Sequence, residues 1–98
     1  MKWLEVIHLR ATEHKPDRLV STLRQLIDEV REKRSCRKIE MFKRAFLETD
    51  ICLQLYHDTE NIETSGSTVG MHIAMALKSF GMVNHTVWIV SDQESSQY

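Results

Sequence analysis

Apolar residues follow two rhythms along this chain. Residues 3–11 are rich in large and β-branched side chains, which predicts a strand. A polar break follows at residues 12–17, where Pro16 suits a first helical turn because its missing N–H would have no partner there anyway. From Arg18 the period lengthens. Leu19, Val20, Leu23, Leu26, Ile27 and Val30 fall on one helical stripe, with Arg24, Gln25, Asp28, Glu29, Arg31 and Glu32 elsewhere. Lys33 and Arg34 suit the negative end of the helix dipole. Residues 38–47 predict a second strand and residues 48–50 a break of hairpin length. Residues 51–57 predict a third strand, with Ile51, Leu53 and Leu55 on one face. A polar loop over residues 58–66 leads to a second helix over 67–80, capped by Ser65 or Ser67. Its stripe is Val69, Ile73, Ala76, Leu77 and Phe80, and Gly81 is placed as a left-handed stop. Residues 85–90 form a last strand.

The order β-α-β-β-α-β, with right-handed crossovers, puts both helices on one face of one antiparallel sheet. This predicts a ferredoxin-like α+β domain over residues 1–91, with residues 92–98 as a flexible C-terminal tail. The strands should lie in the order fourth, first, third, second. Burying Glu5 beneath a helix looks costly, so Leu4 and Val6 are assigned to the core. Trp3, Glu5, Ile7 and Leu9 then face away from the helices. In the second strand Ile39, Met41 and Ala45 point inward, and Glu40, Phe42, Arg44 and Phe46 outward. Cys52, Gln54, Tyr56, Thr86, Trp88 and Val90 complete the outer face, with Val87 and Ile89 inside. So apolar a layer predicts a homodimer, two outer faces pressed together with roughly 800 Å² buried per chain.

Composition narrows the partners. A chain of 98 residues has a thin core, to which a partner surface adds burial. A formal net charge of -1 gives no support for nucleic-acid binding. No apolar run is long enough to cross a membrane, and Glu5, His8 and Arg10 interrupt the only early one, so no signal peptide is expected. The expected location is the cytoplasm, with Cys36 and Cys52 as reduced thiols. Their spacing matches no zinc motif, and no metal is expected.

A βαββαβ chain of this length with an apolar outer sheet resembles the dimeric α+β-barrel superfamily, over residues 1–91. That superfamily includes the cofactor-independent antibiotic-biosynthesis monooxygenases and the heme-degrading monooxygenases. The resemblance implies the fold, the dimer and an oxygenase-like activity. His72, on the second helix, is the position it offers for a heme ligand or an acid–base group. The first strand has no asparagine to match the heme-degrading members. Residues 56–61, Tyr-His-Asp-Thr-Glu-Asn, lack the tryptophan common in the monooxygenases.

Polar groups among the outer-face aromatics suggest a small-molecule pocket formed by Trp3, Glu5, Phe42, Arg44, Gln54, Tyr56 and Trp88. Glu5 and Arg44 serve equally well as a structural ion pair. Residues 65–68, Ser-Gly-Ser-Thr, are read chiefly as a helix cap, with anion binding as the alternative. His8, His57 and His85 lie on separate strands, and Met71, Met75 and Met82 are read as packing residues. The expected function is that of a small homodimer binding an apolar or aromatic molecule. An oxygenase-like enzyme and a purely structural interaction module stand as alternatives, so whether the chain is an enzyme stays open.

Overall fold

A computed structural model describes residues 1–12 and 16–90. The elements are β1 (Lys2–Ala11), α1 (Pro16–Lys33), β2 (Lys38–Arg44), β3 (Leu47–Asp58), α2 (Thr68–Leu77) and β4 (Gly81–Ile89), with a 3₁₀ turn at Lys78–Phe80. The four strands form one antiparallel sheet in the order β2-β3-β1-β4, as expected and compatible with a ferredoxin-like domain. Leu19, Leu23, Leu26, Ile27 and Val30 of α1 and Ile73, Ala74 and Leu77 of α2 share one core with Ile7, Leu9, Ile51, Leu53 and Leu55. Both helices therefore cover the same face. The expected tail, residues 92–98, lies outside the described residues.

One strand faces the opposite way from the expectation. Register pairs Glu5 with Leu55, Ile7 with Leu53 and Leu9 with Ile51. Directly opposed residues share a face, so Trp3, Glu5, Ile7 and Leu9 all lie beneath the helices, buried. Leu4, Val6, His8 and Arg10 point to the open side. Burying Trp3, Ile7 and Leu9 outweighs the cost of Glu5, because Glu5 finds partners inside. The open face is accordingly less apolar than expected: Leu4, Val6, Phe42, Tyr56 and Trp88 are interspersed with His8, Glu40, Cys52, Gln54 and Thr86.

The β2–β3 hairpin also turns earlier. Its tip is Ala45 and Phe46, and residues 48–50 are part of β3. The ladder steps from Lys43–Ile51 to Arg44–Leu47, so residues 48–50 bulge out opposite β2 while Asp50 pairs with Arg10 of β1. Phe46, expected on the outer face, sits at the tip with φ 64° and its side chain wholly in water. Met41 and Ala45, expected inside, are exposed near the same end.

Helix ends follow local chemistry. Arg34 takes a left-handed conformation, φ 51°, and lets Ser35 N–H reach back to the Val30 carbonyl at 3.1 Å, closing α1. Ser67 caps α2 by accepting from Gly70 N–H. Gly81 is not a left-handed stop. It is extended and opens β4, four residues earlier than expected, and a Cβ there would lie 2.1 Å from the Arg10 carbonyl oxygen.

Left-handed backbone costs a bulky L-residue roughly 1–2 kcal/mol. Phe46→Gly is therefore expected to stabilise the fold by about 1 kcal/mol and raise its thermal midpoint by about 4–8 °C. Calorimetry of the two proteins checks this, and a lower midpoint in the variant refutes the strain at the tip.

Candidate functional site

The inward turn of β1 places a carboxylate at the centre of the domain. Glu5 has no exposure to solvent. Its Oε1 accepts from Ser67 N–H at 2.8 Å and lies 2.9 Å from His85 Nε2. Its Oε2 lies 2.6 Å from His57 Nε2 and accepts the Ser67 hydroxyl. An ionised carboxylate only accepts, so both imidazoles present Nε2–H to it. Ser67 Oγ itself accepts from Gly70 N–H at 3.0 Å. Four donors from β3, β4 and the start of α2 thus meet one buried charge on β1.

Two glycines make the approach possible. A Cβ on Gly70 would lie 2.0 Å from Glu5 Oε1. One on Gly66, at φ 99°, would lie 2.4 Å from His85 Cε1. The Ser-Gly-Ser-Thr segment is thus a helix cap whose backbone donor is taken by the chain's own carboxylate. Burial pushes the Glu5 carboxyl upward, but the hydrogen bonds from Ser67, His85 and His57 outweigh it and hold it below its ordinary value.

His57, though buried, borders the two grooves at one end of the sheet, whereas His85 is half-buried and borders neither. Its ring stacks on Trp3, centroids 4.1 Å apart and planes 21° from parallel, and Trp3 Nε1–H donates to Thr59 Oγ1 at 2.8 Å. His57 borders two grooves at the end of the sheet where β1 and β2 begin and β3 and β4 finish. One, about 560 Å³, is walled by Trp3, Leu4, Tyr56, Trp88, Ile89 and Val90, with Lys2 also at its border. The other, about 910 Å³, runs beneath the end of α1 past Arg31, Arg34, Cys36 and Ile39. Arg37, Lys38, His57 and Asp58 border both. Arg37 pairs with Asp58 at 3.1 Å, and Lys38 with Glu40 at 3.1 Å.

The residues expected to form one pocket divide between the two faces. Trp3 and Glu5 lie on the helix side; Phe42, Gln54, Tyr56 and Trp88 lie on the open side. Trp3, Tyr56 and Trp88 still meet at the smaller groove, because it wraps round the sheet's end. Glu5 and Arg44 do not pair. Arg44 instead lies 3.4 Å from Asp50, which His8 contacts at 3.2 Å. Burial raises the Asp50 carboxyl, but His8, Arg44 and Arg10 outweigh it and the net direction is down. Of the three strand histidines, His57 and His85 converge on Glu5, while His8 lies on the opposite face. His72 is exposed on α2, bordering a separate groove between the helices. Cys36 and Cys52 are unpaired thiols that burial holds in the protonated direction.

Sequence reasoning missed the Glu5 cluster because the cost of burying Glu5 was set against an empty interior. The signal was present in the same residues: two histidines at inward positions of β3 and β4, and glycines flanking a capping serine. Among the described residues no group of three or more His, Cys, Asp and Glu is arranged to hold a metal ion, and no helix is long and apolar enough to cross a membrane. No family model, curated protein or solved structure matches the chain.

Because folded Glu5 releases its proton more readily than in the unfolded chain, its contribution to stability is full above pH 4.5 and drains away as pH falls through the lowered folded value. Glu5→Gln is expected to cost about 2–3 kcal/mol at pH 7 and to flatten the acid limb of stability against pH. Urea titrations from pH 3 to 7, chosen as roughly the carboxylate range, check this; an unchanged acid limb would count against the assignment. Gly70→Ala should destabilise by about 1–3 kcal/mol through the clash with Glu5. Equal stability of this variant and the parent in the same titration would mean the carboxylate has room to move.

Proposed function

We propose that this chain binds a small aromatic molecule carrying an anionic or acidic group, and that it does so as a homodimer paired through the open face of its sheet. The observation that carries the reading is the groove of about 560 Å³, a volume ordinary for a small-molecule site. Its walls are aromatic and aliphatic, from Leu4, Tyr56, Trp88, Ile89 and Val90. Its border carries Lys2, Arg37 and Lys38; Asp58, also at the border, pairs with Arg37, and Glu40 pairs with Lys38, which leaves Lys2 in excess. A flat apolar ligand fits such walls, and the cationic excess favours one with negative charge.

The pairing rests on the open face. Trp88 is 58% and Phe42 44% exposed there, with Val6, Leu4 and Tyr56 half-buried between them. Four strands of this length span about 19 Å by about 30 Å, a flat footprint that the relief of the protruding side chains enlarges toward the roughly 800 Å² of accessible surface that a stable pair buries on each side. Tyr56 Oη–H is bonded to Gln54, and Trp88 Nε1–H to Thr86, so these rings present their apolar parts without stranding a donor. Two such faces in contact would give the paired sheets of a dimeric α+β barrel, and because Leu4, Tyr56 and Trp88 belong to both face and groove, pairing would also roof the groove.

Sedimentation at micromolar concentration should give a particle of two 11.5 kDa chains. Val6→Asp with Phe42→Asp should reduce it to one chain with an unchanged far-ultraviolet spectrum. Anilinonaphthalene sulfonate, an aromatic anion, should bind the parent with enhanced fluorescence, and Trp88→Ala should weaken it about tenfold, on the order of 1.4 kcal/mol. A single-chain particle that does not take up the dye overturns both halves of the proposal.

A further inference from the structure

We propose that His57 is a proton acceptor facing the groove, and that the molecule it serves is an aromatic or enolic hydroxyl compound bound there as its oxyanion. This rests on the groove reading above and adds to it a chemistry.

His57 is 6% exposed, yet only one of its two ring nitrogens has a partner. Nε2–H points at Glu5. Nδ1 has no hydrogen bond among the described residues, and it is not sealed either. Asp50 Oδ1 is the only side-chain polar atom among them that is both cut off from solvent and unpartnered. An imidazole with Nε2 protonated carries a lone pair on Nδ1, and His57 borders both grooves. The ring cannot easily turn away: Trp3 lies flat against it and Glu5 grips the far nitrogen. A carboxylate behind an imidazole fixes its tautomer and offsets the charge that forms when its other nitrogen takes a proton. Glu5 is thus a positioning residue and His57 the group that meets the ligand.

The transfer balances with no further reagent. The ligand's O–H bond breaks, its oxygen keeps the electron pair, and the proton forms a bond to Nδ1. The imidazolium then faces the Glu5 carboxylate across 2.6 Å. The oxyanion left in the groove has Lys38 and Arg37 at its border, and their present partners Glu40 and Asp58 are exposed enough to yield to it. Lys2, also at the border, has no ion-pair partner within 4.0 Å among the described residues. His85, the second imidazole on Glu5, borders neither groove, so His57 alone is poised for this role.

The test uses 4-nitrophenol, whose ionised form absorbs in the visible, with the intact chain. Bound dye should ionise about one pH unit lower than free dye, so that one unit below the free midpoint the ionised fraction rises about fivefold. In ¹⁵N-histidine-labelled wild-type protein, Nδ1 of His57 should move from the unprotonated to the protonated range as dye is added, a readout that needs no variant. His57→Gln should abolish the ionisation shift, and Glu5→Gln should reduce it while dye still quenches tryptophan fluorescence. If dye quenches tryptophan but its midpoint and the His57 resonance stay unchanged, His57 is no proton acceptor and the groove reading survives. If the dye does not bind, both fall.

Discussion

A carboxylate removed from water must recover inside the protein the hydrogen bonds it gave up outside, and the position of Glu5 makes that requirement govern the whole domain. Ionised carboxylate in an apolar interior is tolerated only when fully compensated. Here the compensation comes from Ser67 twice, from His57 and from His85. The three donor residues belong to different parts of the fold, so the demand of one side chain fixes the start of α2 against β1 and draws β3 and β4 to matching registers. Gly66 and Gly70 follow from the same demand, because a methyl group at Gly70 would occupy the carboxylate's space and one at Gly66 would strike the His85 ring that donates to it. Hydrogen bonds converging on a buried charge rigidify the elements that supply them.

Much of the architecture could be read from the residues alone. Two helical stripes and four strands are visible as periodicity, because the core faces of α1, α2 and β3 bury apolar side chains at regular intervals, and the strand order follows from their sequence and the handedness of the crossovers. The facing of β1 was not visible. Residues 3–10 alternate Trp, Glu, Ile, Leu on one side and Leu, Val, His, Arg on the other, so both sides offer apolar candidates and the decision turns on the fate of Glu5. That fate depends on His57 and His85, which are 52 and 80 positions away, beyond the reach of any local pattern. The hairpin was misplaced for a related reason. Glu48, Thr49 and Asp50 look like turn residues, but they form a bulge, and the reversal is made at Ala45 and Phe46, where no glycine marks it.

Charge is distributed to match these facings. On the open side, Asp50 is covered by His8, Arg10 and Arg44, which anchors the bulge of β3 to β1. On the helix side Glu5 plays the equivalent part with neutral and weakly basic donors. The sheet thus carries one buried acid on each face, Glu5 near the middle of β1 and Asp50 opposite Arg10 near its end. The two larger grooves, with their cationic borders, open at the other end, beside His57.

The distances in sequence over which Glu5 is satisfied have a kinetic corollary. Its partners lie 52, 62 and 80 residues downstream. Contacts this remote require large loops to close before they repay the entropy. A chain that has docked β1 against β3 and α1 but not yet β4 holds a desolvated acid with its donor set incomplete. Such half-assembled species are penalised in proportion to how dry they are. The design therefore favours a concerted last step, in which the C-terminal strand and the cap of α2 arrive together, over a ladder of stable intermediates.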